Sequence, residues 1–193
     1  MKGYELEIIF DNDNEYGGKF NIEKMSRRII IPENTTMREL HITIQKLFGL
    51  NDSNYYEFSY TDYMSEDVVT LGYIPHRRFC SSHKDLNRIY VDNFFKKKIS
   101  FDYEYDYCSE WCFFVRFIRI VEYDKYYPTI LNFKGEYNIV ESCGGPWGLE
   151  YFLNIIENPP ENLSKHDIQM LKRFEKFDCE KTQEKLKNIL DMV

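Results

Sequence analysis

No stretch of this chain approaches the roughly 20 consecutive apolar residues that span a bilayer. The opening MKGYELEIIF has too short an apolar piece, with glutamates inside it, for a secretion leader. Positive charge is also in deficit: 25 lysines and arginines stand against 32 aspartates and glutamates, for a net charge of −7. Tracking a nucleic-acid backbone takes clustered Lys and Arg that displace counterions. The clusters here are short (SRR at 26–28, HRR at 76–78, KKK at 96–98) and suit strand edges and helix ends, so nucleic acid is not the expected partner. Tryptophan is scarce, at two residues, and neither an internal repeat nor a low-complexity tract is present. The five cysteines are an odd number without a leader, which points to reduced thiols and a cytoplasmic, membrane-free setting. Cys108 and Cys112 flank Trp111 as C-x3-C, not the C-x-x-C of a redox pair. His76, Cys80 and His83 are of zinc-ligating type, with Cys108 or Cys112 as a fourth, but their spacing matches no standard finger. They read as incidental, and neither a metal nor a cofactor is expected.

What the chain has in quantity is tyrosine and phenylalanine, 16 and 15 residues. Rings with polar tips suit a sheet-rich core. YELEIIF (4–10) and RRIII (27–31) are β-prone runs joined by a turn-rich connection, and they predict a first hairpin. TTMRELHITIQKLFG (35–49) predicts a helix: Thr36 and Glu39 form a capping box, and Gly49 suits a left-handed C-terminal cap. Its buried face takes Met37, Leu40, His41, Ile44, Leu47 and Phe48. A strand over 55–60 follows, so the chain opens ββαβ, in the manner of a β-grasp. Residues 61–88 read as a polar, irregular excursion. SFDYEYDY (100–107) alternates strictly, as a half-buried strand does. WCFFVRFIRIVE (111–122) is apolar on both faces, as in a central strand. YYPTILNFKGEYNI reads as a loop with a short strand. Helices are expected from 146 onward: one with Leu149, Phe152, Leu153 and Ile156 in a stripe, one opened by Ser164 and Asp167 with Ile168 on its face, and one capped by Asp178. A chain of 193 residues holds one well-buried core and is short for two, so the expected architecture is a single α+β domain over 1–193. Its mixed, mostly antiparallel sheet packs against the first helix and the C-terminal helices.

ESCGGPWGLEYFL (141–153) is the least ordinary segment. Pro146 fits a first helical position, with Gly145 as the N-cap. A phosphate loop is disfavoured, because the lysine that follows the last glycine of such loops is absent. This segment resembles the acid-cysteine-glycine-glycine-proline-tryptophan-glycine stretch of the plasmid pRiA4b ORF-3-like family, found on plasmids and among transposon passenger genes. SRRIIIPENTTMRELHITIQKLFGL (26–50), FDYEYDYCSEW (101–111) and FDCEKTQEKLKNIL (177–190) resemble further family segments in the same order. The resemblance implies an α+β domain and a link to mobile elements. It implies glycine and aspartate where Cys108 and Ser109 stand, and histidine where Phe113 stands. If those family positions form a metal or acid-base site, this chain has lost much of it.

The family positions that survive are Arg27, Arg28, His41, Tyr105, Asp106, Trp111, Gly144, Gly145 and Trp147, and they form the candidate binding groove. A lone histidine on a buried helix face is more often a hydrogen-bonded core residue than a catalyst. Asp102, Glu104 and Asp106 alternate too widely to converge on one cation, and Asp106 is expected to pair with Arg27 or Arg28 across the sheet. Two functional classes follow. The favoured one is a non-catalytic interaction or accessory protein with a protein partner. The alternative is a hydrolase-like or nucleic-acid-processing enzyme with His41, Asp106 and an arginine as its polar core. Convergence of those three in one open pocket separates the two.

Overall fold

The computed structural model describes residues 1–11, 25–62, 67–73 and 86–189. Among the described residues seven strands form one sheet: β1 (Lys2–Asp11), β2 (Ser26–Pro32), β3 (Tyr56–Asp62), β4 (Asp67–Tyr73), β5 (Phe101–Tyr105), β6 (Trp111–Glu122) and β7 (Thr129–Lys134). Their order is β4-β3-β5-β6-β1-β2-β7, and every pairing is antiparallel. Alternation decides which side is buried. Tyr4, Leu6, Ile8 and Phe10 of β1 face inward with Phe101, Tyr103 and Tyr105 of β5 and Trp111, Phe113 and Val115 of β6. Glu5, Glu7, Arg28, Arg116 and Arg119 stand on the other side. There Glu5 receives Arg28 and Arg119 at 2.6 and 2.7 Å, and Glu7 receives Arg116 at 3.3 Å.

The inner face is roofed by α1 (Met37–Phe48), which carries the chain from β2 to β3, four places along the sheet. Its capping box and left-handed Gly49 are those expected, with Gly49 at φ 79°. Leu40, Ile44, Leu47 and Phe48 are fully buried, and the Phe48 and Phe113 rings meet at 4.7 Å. A short helix, α2 (Asp92–Phe95), adds Phe94 and Phe95 to the same core. The C-terminal part supplies α3 (Gly145–Glu157), α4 (Lys165–Leu171) and α5 (Cys179–Lys187). Leu149, Phe152, Ile155, Met170, Leu186 and Ile189 join the same continuous cluster as the strands. The chain is therefore an α+β protein whose open antiparallel sheet has its helices gathered on one face.

Several details differ from the sequence reading. The stretch taken as irregular contains β4, an edge strand closely flanked by polar residues. The short strand expected after β6 forms as β7, the opposite edge. The N-cap of α3 is Gly144 at φ 100°, one residue before the expected position. Ile155 rather than Ile156 is buried on α3, and Ile168 on α4 is 43% exposed. The Ser164–Asp167 capping box and the Asp178 cap form as expected. Among the described residues no helix is long and apolar enough to cross a membrane.

Candidate functional site

Arg38, His41 and Gln45 recur at three and four residues along α1, so they share one side of the helix. Gly49 ends the helix and turns the chain back, and Asp52, itself at φ 56°, is delivered onto that side. Arg38 grips the Asp52 carboxylate with two nitrogens, at 3.1 and 2.6 Å. His41 Nε2 lies 2.7 Å from Asp52 Oδ1, and His41 Nδ1 lies 2.8 Å from the Tyr103 hydroxyl. The Tyr56 ring stacks on the imidazole, with centroids 3.4 Å apart.

Proton positions follow from the partners. Gln45 Oε1 accepts from the Asp52 N–H at 2.8 Å, so Gln45 Nε2 is the atom donating to Tyr103 at 2.8 Å. Having accepted there, Tyr103 turns its one proton to His41 Nδ1, and the imidazole carries its own proton on Nε2, toward Asp52. Burial drives His41 down to about 4, against the pull of Asp52. Burial also works to raise Asp52, but hydrogen bonds from His41 and Arg38 outweigh it and bring the carboxyl to about 2. Burial lifts the Tyr103 hydroxyl well above its ordinary range. The set is thus a neutral imidazole between a tyrosine and an ion-paired carboxylate. It resembles a proton relay in composition, yet His41 is 0% exposed and Tyr103 1%.

Beside it, Tyr105 accepts from the Ser53 N–H and donates to Glu141 Oε1, both at 3.1 Å. Glu141 also takes the Asn51 N–H at 2.6 Å. Glu141 opens the glycine segment, so that segment is tied to the turn after α1. Gly145 docks the other way, where a Cβ would lie 2.7 Å from the Ser109 carbonyl, and Gly148 packs within the segment, where a Cβ would lie only 1.8 Å from the Cys143 carbonyl. The segment is a packing corner between the α1 turn and the β5–β6 turn.

The nine sequence-derived groove residues fall in different places. Arg27, His41, Tyr105, Trp111 and Gly145 are buried; Arg28, Gly144 and Trp147 are exposed, and Asp106 is half-buried. Arg27 donates to the carbonyls of Leu47 (3.1 Å), Ser26 (2.9 Å) and Lys134, and its guanidinium lies 4.0 Å from the Phe177 ring centroid. A cation on the last carbonyls of α1 is favourably placed. Burial nevertheless takes it down to about 10. Arg28 is on the far face with Glu5. The expected pairing of Asp106 with an arginine is not what forms: its carboxylate takes the Ser109 hydroxyl at 2.7 Å and the Cys108 N–H at 3.3 Å, because the left-handed Asp106 turns the chain back on itself. His41, Asp106, Arg27 and Arg28 each have separate partners. Trp111 is fully buried against Phe10 at 5.9 Å. Cys108, Cys143 and Cys179 are free thiols, whereas His76, Cys80 and His83 lie outside the described residues.

Arg38, Gln45, Asp52, Tyr56, Tyr103 and Glu141 were not picked out by sequence. The spacing of Arg38, His41 and Gln45 was the available signal; the convergence of Asp52 and Tyr103 was not, since it depends on which strand lies under α1.

A second feature is open. Trp147 and Tyr151 of α3 are 59% and 51% exposed. They line a groove of about 1040 Å³ with Glu136, Tyr137, Glu150 and Glu157.

The family model of the plasmid pRiA4b ORF-3-like protein matches residues 20–185. The chain is also similar to the crystal structure of a protein of unknown function from Methanosarcina mazei Go1. That likeness has a TM-score of 0.69 at 22% identity over 93% of this chain and 97% of the other, and it establishes the shared fold. No curated protein matches the chain.

Proposed function

The chain belongs to the plasmid pRiA4b ORF-3-like family, and we propose that it acts there as a non-catalytic interaction protein, accessory to a mobile element, that presents the α3 face to a protein partner. The observation that carries this reading is the burial of His41 and Tyr103. A general base needs an open edge toward the proton it takes and a pKa near working pH. His41 has neither: both ring nitrogens are engaged, its rings and helix neighbours enclose it, and burial holds it near 4. Large exposed aromatics beside a groove, by contrast, are the side chains that anchor interfaces.

The test places a photo-cross-linking amino acid at Tyr151 and, separately, at Ile120 on β6, which is 43% exposed. Adducts with one protein from position 151 and not from position 120 are the expected result. Adducts from neither, or equally from both, overturn the reading. So does a hydrolytic activity of the purified chain that disappears in His41→Gln.

A further inference from the structure

We propose that β4, one outer edge of the sheet, pairs antiparallel with β4 of a second copy of this chain, joining two sheets across a two-fold axis. This is separate from the α3 reading and stands or falls without it. The two edges are finished differently. On β7 the Gln183 side chain meets the Ile130 N–H and the Pro128 carbonyl at 2.8 Å. β4 has β3 on one side, and among the described residues no main-chain hydrogen bond reaches residues 68–72 from the other. The devices that keep an edge single are missing there. Residues 68–72 (VVTLG) hold no charge and no proline. The β3–β4 register runs through seven pairs without a shift, whereas β1–β6 and β2–β7 both carry one. Val68 is 69% exposed.

The occupant that suits this edge is its own copy, because β4 is self-complementary about Thr70. An antiparallel copy centred there sets Thr70 opposite Thr70, Val69 opposite Leu71 and Val68 opposite Gly72. A two-fold axis normal to the sheet keeps each copy's helices on the same side, so side chains meet their own kind of face. On the helical side the half-buried Val69 meets the buried Leu71, which continues the apolar layer from one copy into the next. On the other side the exposed Val68 meets a glycine, which leaves it room. Charge favours the same seam. Two copies of a chain with net charge −7 repel each other over most of their surfaces, and a stretch without charge is where they approach at least cost.

The test is the oligomeric state of the purified full-length chain. An edge pairing is small beside the roughly 1,600 Å² of a standard interface, so sedimentation is followed from about 5 to about 200 µM. A dimer that grows with concentration is expected. Thr70 is half-buried, and Thr70→Lys sets two ammonium groups directly opposite each other. That variant is expected to weaken the dimer at least about tenfold, and Thr70→Glu to do the same. An equimolar mixture of the two is expected to restore it at low salt, since each lysine then faces a glutamate. Leu131→Lys, a charge on the opposite edge at a position 47% exposed, is expected to change it less than about twofold. Circular dichroism of each variant confirms that it is folded. A monomer throughout the range overturns the proposal, as does a dimer that survives Thr70→Lys or a mixture of folded variants that restores nothing. A dimer dissolved by Leu131→Lys or by Trp147→Ala overturns it too, because the copies then meet elsewhere.

Discussion

His41 is held on both sides, by Asp52 at 2.7 Å and Tyr103 at 2.8 Å, and burial is what depresses it to about 4. An unfolded histidine titrates near 6.5, so between pH 6.5 and 4 the unfolded chain binds a proton that the folded chain refuses. The sign follows: this contribution to stability is fully present above about 6.5 and is lost as the pH falls to about 4, up to about 3 kcal/mol. Asp52, brought below its ordinary 3.8 to about 2, extends the loss at lower pH. Urea unfolding measured from pH 7 to pH 4 is expected to show this decline. In His41→Gln the slope over that window flattens, although the variant is less stable at pH 7. An unchanged slope in His41→Gln would mean that the imidazole is not the titrating group. Arg27 is a fully buried cation. It takes carbonyls rather than a carboxylate as partners, and so joins the end of α1 to β2 and β7.

Elements in this fold are finished by side chains at their ends. The edge strand β7 presents an N–H at Ile130 and a carbonyl at Pro128, and Gln183 of α5 meets both at 2.8 Å, as a neighbouring strand would. The Asn132 side chain takes the Phe133 N–H at 2.8 Å. An edge so occupied offers little to a stray strand. At the start of α3 the constraint is steric. Gly148→Ala would set a methyl 1.8 Å from the Cys143 carbonyl, a backbone atom that cannot swing aside. The variant is expected to lose more than about 2 kcal/mol of stability through displacement of α3. Thermal unfolding checks this; a melting temperature within a degree or two of wild type would show that the corner yields. The capping box of α1, the Ser164–Asp167 box and the Asp178 cap were legible in the sequence because a cap is written within four residues. The edge β4 was not. An edge strand lacks the strong burial that makes a pattern stand out, and pairing alone defines it.

Across the whole molecule one cluster joins both halves of the chain: Leu6, Phe48 and Phe113 belong to the same core as Leu149, Leu186 and Ile189. The central strand β1 pairs with β6, more than a hundred residues later, so the sheet closes only when distant segments meet. A fragment of residues 1–143 is expected not to fold, since removing α3 to α5 uncovers the part of the core they roof. Circular dichroism and urea titration of that fragment decide it; a cooperative transition would show that the sheet and α1 are self-sufficient. On the outer sheet face Glu5 is buried and ion-paired with Arg28 and Arg119, while Trp147 and Tyr151 of α3 are exposed.

By itself the sequence determined what is local or repetitive: the periods that make β5 a half-buried strand and α1 an amphipathic helix, and the caps that bound α1. Those signals lie within a few residues, where backbone sterics and side-chain capping act. Tertiary structure alone decided which polar groups meet. Asp52 reaches His41 because a left-handed glycine returns the chain, and Tyr103 reaches it because β5 lies beneath α1. It also decided that Asp106 closes its own turn and that Trp111 is core while Trp147 is surface. Burial and register are properties of the packed whole, and no short window of residues contains them.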